Sequence, residues 1–265
     1  MIIDIHTHIY NEETYKTYFA KAKNRISKVL VMAWYEEDFK VLLDFAAGKN
    51  NVFLAGTVDV EKNIEEQLRI LEKLFQEKRV IGIKLYPGYQ YFYPSDEKIF
   101  PIAELCQKYN KPLIFHSGDI YDQENKAILK FANPIYVDGL AVKFPECKMI
   151  IAHFGFPYHM EAANVVSKNK NVFTDISGTI DASNFKKSAE NLLNQYIADL
   201  QRVFFYFPDI KNKVMFGTDY IGEDTPLREV ISYIKLAKKV FSKDEQGNVF
   251  HKLAESLFFE DKNKN

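Results

Sequence analysis

Apolar residues follow two spacings along this chain. Short unbroken runs rich in Val, Ile and Phe recur eight times, as MIIDI, KVLVMAW, NVFLAGTVDV, VIGIKLY, PLIFH, KMIIAHF, NVFTDI and KVMFGTD. Runs of this length and composition read as strands buried on both faces. Between them stand segments of helical period. In NIEEQLRILEKLFQEK, the residues Ile64, Leu68, Leu71 and Phe75 fall at spacings of four, three and four, so one face is apolar and the other charged. EEDFKVLLDFAAGK, PIAELCQKYN, HMEAANVVSKN, KKSAENLLNQYIADLQRVFFYF and PLREVISYIKLAKKVF follow the same rule.

Eight buried parallel strands alternating with helices predict an α/β fold of the (β/α)8 TIM-barrel type rather than an open sheet. No linker rich in Pro, Gly or Ser interrupts the series, and no repeat is visible beyond the alternation itself. The expectation is a single domain over residues 1–260, followed by a polar tail, 261–265, that frays.

Composition narrows the function. Apolar residues make up 47% of 265, with 22 Phe and 16 Tyr, and 35 basic against 36 acidic residues leave a net charge of -1. That balance offers no electrostatic footprint for nucleic acid or an anionic membrane. Neither GxGxxG nor the P-loop pattern occurs, which argues against nucleotide cofactors. Cys106 and Cys147 form no Cys-x-x-Cys pair, so neither a disulfide framework nor a thiolate zinc site is indicated. With no bilayer-length apolar stretch and no signal-peptide layout at the N-terminus, the expected location is the cytoplasm.

Barrels of this kind carry their chemistry at the C-terminal ends of the strands. The first run ends on His6 and His8, the fourth on Lys84, the fifth on His116, the sixth on His153 and the eighth on Asp219. Residues i and i+2 of a strand share a face, so His6 and His8 present two imidazoles side by side. Four of the six histidines thus stand at strand tails, while His159 and His251 fall on helices, as surface histidines do. Imidazoles and a carboxylate suit a borderline-soft divalent ion, zinc first among them. His6, His8, His116 and Asp219 are enough ligands for one ion with room for a water, whose pKa such an ion lowers to about 7.

These residues, in this order, resemble the amidohydrolase superfamily: His-x-His on strand one, His in IFHSG, His in IAHFG and Asp in FGTDY. The likeness is closest to the branch of amidohydrolase-2-type hydrolases and metal-dependent decarboxylases and spans essentially the whole chain. VFHKLAESLFF is similar to that branch's closing helix, although the Asn-Ala step often found there is not kept. The resemblance implies His6, His8, His116 and Asp219 as metal ligands, and Asp219 and His153 as catalytic groups. His153 stands where binuclear members place a ligand to a second metal and mononuclear members a base. Lys84 matches a position that some binuclear members fill with a carboxylated, metal-bridging lysine; a substrate-binding ammonium and a salt-bridged core lysine are its other readings. One or two ions are therefore expected. The implied activity is hydrolysis of an amide, cyclic amide, lactone or ester of a small molecule. The alternatives are decarboxylation of an aromatic or unsaturated acid and a non-catalytic metal-binding barrel.

Weaker signals surround this set. Asp59 and Asp175 read either as lining the pocket mouth or as caps and turn residues, and Asp4 as a ligand's partner or a structural residue. YPGYQYFYP packs five aromatic residues behind strand four. It reads as a lid over a flat substrate, as packing against the next helix, or as a contact in a homodimer. Trp34, Tyr35 and Tyr86 are candidates for the pocket wall, and with Lys84 for substrate binding.

Overall fold

The computed structural model describes residues 1–22, 25–35, 39–121, 126–180, 187–222 and 228–260. The tail 261–265 and the first residues of three expected helices (36–38, 186 and 226–227) lie outside the described residues. Within them, eight parallel strands follow one another around a single sheet: β1 (Ile3–Thr7), β2 (Lys28–Met32), β3 (Val52–Thr57), β4 (Gly82–Leu85), β5 (Leu113–Phe115), β6 (Met149–Ile151), β7 (Val172–Asp175) and β8 (Val214–Met215). The ring closes between β1 and the segment after β8, through Ile5 N–H to Phe216 O (3.1 Å), Asp219 N–H to His6 O (2.8 Å) and His8 N–H to Tyr220 O (2.7 Å). A (β/α)8 barrel results.

Each strand is followed by a helix: α1 (Glu12–Lys21), α2 (Phe39–Ala46), α3 (Ile64–Gln76), α4 (Phe100–Tyr109), α5 (Val137–Lys143), α6 (His159–Lys168), α7 (Ala189–Tyr206) and α8 (Arg228–Val240). Side chains of Asn11, Asn63 and Ser188 accept backbone N–H bonds at the starts of α1, α3 and α7, which satisfies donors the first turn leaves open. The apolar pattern gave no sign of α1 and α5. The buried side of α1 is built on the aromatics Tyr15, Tyr18 and Phe19, and α5 has only 7 residues, too few for periodicity to show. No described helix is long and apolar enough to cross a membrane.

Two cores result. One lies between strands and helices. The other fills the barrel, where Ile3, Ile5, Leu30, Met32, Ile114 and Ile150 meet Leu253, Leu257 and Phe258. These last come from the C-terminal helix, α9 (Lys243–Gly247) and its wide-turned continuation through Asn248–Lys252 and Glu255–Phe259. A capping box of Ser242 and Glu245 starts it, and it plugs the mouth at the strands' N-terminal ends. Burying one such Phe stabilises by roughly 1.5–3 kcal/mol. At the other end of β1, the register with β2 shifts between Asp4 and Thr7. Ile3 and Ile5 face the interior below the shift, and His6 and His8 face it above. A bulge thus moves the inward set from odd to even positions, and without it Thr7 would stand where the imidazoles stand.

Candidate metal centre

The seam that closes the barrel also assembles the site. His6 lies in β1 and His8 one residue beyond it, while Asp219 follows β8. One carboxylate oxygen, Asp219 Oδ1, lies 3.4 Å from His6 Nε2 and 3.3 Å from His8 Nε2. Asp4 holds the two segments together through their backbones. Its Oδ1 accepts from His6 N–H (3.2 Å) and Thr218 N–H (3.1 Å), and its Oδ2 from Thr218 Oγ1 (2.6 Å) and Tyr18 Oη (2.5 Å). Burial nevertheless pushes the Asp4 carboxyl up to about 7 against these donors.

His116 follows β5 directly, and His153 comes two residues after β6. His153 and Asp219 both take left-handed backbone conformations, with φ of 59° and 60°, which non-glycine residues seldom adopt and which cluster at functional sites. Each is held by a backbone hydrogen bond: His153 N–H to Asp175 Oδ1 (3.1 Å) and Asp219 N–H to His6 O (2.8 Å). His153 Nε2 lies 3.2 Å from His116 Nδ1. His6, His153 and Asp219 each offer a ligand atom within 4.8 Å of the others, a group able to hold a metal ion.

The ring protons can be assigned from the outer partners. His116 Nε2 faces the Asp119 carbonyl at 3.0 Å, an acceptor only, so Nε2 carries the proton and Nδ1 is bare. Tyr10 Oη donates to Met32 O (3.0 Å), so it accepts from His8 Nδ1 at 2.6 Å, leaving Nε2 bare. His6 Nδ1 donates to Asp175 Oδ2 at 3.1 Å. The Ser177 hydroxyl donates to Asp175 Oδ1, so Ser177 Oγ accepts from His153 Nδ1 at 2.9 Å. All four imidazoles then turn a lone pair inward, toward one another and toward Asp219. Neutral imidazoles oriented by an outer hydrogen bond, with a carboxylate among them, are the donor set a divalent cation takes, and the residues fit such an ion.

Charge points the same way. Burial takes His153 down to about 3 despite Asp219, and burial, His153 and Lys84 hold His116 well below its ordinary value. Burial works against ionised Asp219, yet positive charge taken up by His153, His8 or His6 outweighs it and holds the carboxyl well down. Lys84, inside β4 and fully buried, places Nζ 3.1 Å from His6 Nε2. Burial lowers it to about 8, with Asp219 and Asp175 pulling back up.

One wall is aromatic. Trp34 packs on Tyr86, Tyr35 and Tyr89 with ring centroids 4.4, 5.0 and 5.1 Å away, and Tyr89 meets the His116 ring edge-on at 5.1 Å. The YPGYQYFYP loop divides: Tyr86 and Tyr89 join this wall, whereas Tyr91 and Tyr93 pack on Phe131 in the segment after β5. Asp59 is a turn residue, bonded to Gln67, Gln90 and Lys62. Asp175, read from sequence as pocket lining or a cap, lies wholly buried beneath two imidazoles. His159 is no surface histidine either: it starts α6, buried, with its ring stacked on Tyr196. His251 pairs with Glu255 at 3.0 Å. Sequence reasoning also missed Ser177 and Tyr10, and in both cases the available signal was a polar residue two positions beyond a residue already suspected.

A protein-family model described as Amidohydrolase matches residues 3–259. No curated protein matches the sequence. Among solved structures, the chain is similar to a probable 2-pyrone-4,6-dicarboxylic acid hydrolase from Acinetobacter baumannii with citric acid bound (13% identity, TM-score 0.67, 97% of this chain and 98% of that one). It is likewise similar to an amidohydrolase from Burkholderia multivorans with bound zinc (14%, 0.66, 97% and 98%). A third is a dihydroxybenzoic acid decarboxylase from Polaromonas with bound manganese and the inhibitor 2-nitroresorcinol (11%, 0.66, 97% and 96%). At these identities the likeness is one of fold.

Proposed function

The chain belongs to the amidohydrolase family, and from that premise we propose that it is a metal-dependent hydrolase of a small molecule carrying an amide, cyclic amide, lactone or ester bond. The observation that carries this reading is the gathering of four imidazoles at the site of Asp219, each tied through one ring nitrogen to an outer partner. His6, His8, His116 and Asp219 would hold a divalent ion, zinc being the first candidate, with His153 beside them. Such an ion supplies Lewis-acid polarisation of a substrate oxygen and a water acidified to act near neutral pH. Asp219 is the most exposed of the group, with 28% of its side chain accessible against 13% for His8 and none for His6. It is therefore placed to take a proton from the solvent side, and its depressed pKa keeps it ionised, as a ligand to a cation must be. His153, bonded through Nδ1 to Ser177, has Nε2 left for exchanging a proton with the reacting groups.

The aromatic wall favours a flat, conjugated substrate, and this supports a second reading, decarboxylation of an aromatic or unsaturated acid. A panel of lactones, cyclic amides, N-acyl compounds and aromatic carboxylates separates the two by product. For the hydrolase, the rate should rise with pH through a single ionisation that Asp219→Asn abolishes or displaces, with kcat down ~10²–10⁴-fold. Release of CO2 from aromatic acids, with no hydrolysis of any panel member, would overturn the hydrolase in favour of the second reading.

A further inference from the structure

The stretch DISG, which starts on the last residue of β7, bonds to both His6 and His153, and neither the family match nor the fold assigns it a role. We propose that Asp175, Ser177 and Gly178 act as a positioning cradle that fixes the ring orientation and tautomer of His6 and His153 as a unit. The proposal deepens the reading of the same site and rests on it only where metal is concerned.

Three observations carry it. Asp175 divides its carboxylate between the two histidines: Oδ2 takes the proton of His6 Nδ1 at 3.1 Å, and Oδ1 takes His153 N–H at 3.1 Å. Ser177 bridges them, its backbone N–H bonded to Asp175 Oδ1 at 2.9 Å and its Oγ 3.1 Å from His6 Nδ1 and 2.9 Å from His153 Nδ1. Because the one hydroxyl proton of Ser177 goes to Asp175, both ring nitrogens facing Oγ must be donors. The bare nitrogens then face the centre. Gly178 completes the cradle, with φ of +75°, since a Cβ there would lie 2.4 Å from His153 Nδ1. The missing side chain admits the imidazole edge, and the left-handed backbone of His153 brings that edge down onto it.

A carboxylate that only accepts forces Nδ1–H on His6. A carboxamide in its place keeps one acceptor for the three donors on the Oδ1 side, His153 N–H, Ser177 N–H and the Ser177 hydroxyl, and presents a donor where His6 needs an acceptor. Asp175→Asn should therefore turn His6 toward Nε2–H, aiming its lone pair away from the centre, while Ser177→Ala should release His153 and leave His6 as it was. Loss of outer partners of this kind typically weakens metal affinity 10–100-fold.

The test labels the histidines of the full chain with ¹⁵N and reads ring tautomers by NMR in chelator-treated protein, alongside Zn²⁺ affinity by competition with a chelator. Wild type should show Nδ1–H at His6 and His153. Ser177→Ala should show a mixture at His153 alone, and Asp175→Asn an Nε2–H form at His6 with Zn²⁺ affinity down 10–100-fold. If Asp175→Asn fails to fold, Ser177→Ala decides, with His6 as its internal control. A folded Ser177→Ala chain that keeps pure Nδ1–H at His153 overturns the cradle, as does an unchanged His6 in folded Asp175→Asn. A wild-type chain that takes up no Zn²⁺ removes the metal reading, and the tautomers still decide this one.

Discussion

At one end of the barrel interior, Ile3, Ile5, Leu30, Met32 and Ile150 close on Leu257 and Phe258 of the C-terminal helix. At the other, the same ring of strands presents His6, Lys84, Asp175, His153 and Asp219, the first three with no solvent access at all. Both ends are buried, but they obey different rules. The apolar end needs the right volume, and dispersion contacts have no direction, so swaps that conserve size are tolerated. The polar end needs every proton in its place, because a buried donor or acceptor left unmatched costs about 1–3 kcal/mol. Stability should therefore concentrate at the helix-plugged mouth and chemistry at the open one.

The largest expected effect breaks the comparison at its apolar end. Phe258→Ala should cost about 3–5 kcal/mol of stability, read by urea unfolding, with metal content and kcat unchanged in the folded fraction. Equal losses of metal and stability would mean that the two ends are not separable.

A second substitution sharpens the rule for buried polar groups. His159, at the start of α6 and packed on Tyr196 of α7, leaves Nε2 without a hydrogen-bond partner among the described residues, and burial lowers it to about 4 although Asp199 and Glu161 pull upward. The unfolded chain takes up this proton near pH 6.5 and the native protein only near pH 4. Stability from His159 is thus fully present above about pH 6.5 and is lost as pH falls toward 4, by about 3 kcal/mol. His159→Phe should flatten that part of the stability-against-pH curve, measured by urea unfolding between pH 4 and 7. An unchanged slope would assign the acid sensitivity elsewhere.

The smallest effect concerns the aromatic wall. Trp34→Leu should leave stability and metal content as they are and raise KM about tenfold for a flat conjugated substrate, the size of one aromatic contact. A KM that does not move would take Trp34 out of the substrate pocket.

How much was legible in the sequence follows the same division. Eight strands and six helices were readable because burial on both faces, or on one stripe, writes directly into residue spacing. The plug was readable only as a resemblance of VFHKLAESLFF to a closing helix, since its packing partners lie far away in sequence. His6, His8, His116, His153 and Asp219 could be picked out because a polar residue at the end of an apolar run is conspicuous. Their arrangement could not. The bulge in β1 and the left-handed backbone at His153 and Asp219 go with backbone N–H bonds accepted by Asp4, Asp175 and the His6 carbonyl, and the pairings of Asp4 with Thr218, Asp175 with His153 and His6 with Asp219 join residues far apart in sequence that no spacing reveals. Asp175 shows this most clearly: an aspartate after a strand suggests a turn, and only the closed barrel brings β7 beneath β1 and the turn that follows β6.

The central claim is that the inward-facing imidazoles and Asp219 form a site for a divalent ion. Metal content by mass spectrometry, on wild type and on the His6→Ala/His8→Ala double variant after identical loading and gel filtration, tests it most directly. The account predicts at least one equivalent of metal in wild type and less than about a tenth of that in the double variant, because an open catalytic site has few ligands to spare. Stoichiometric metal in the folded double variant, or none in wild type, would contradict it.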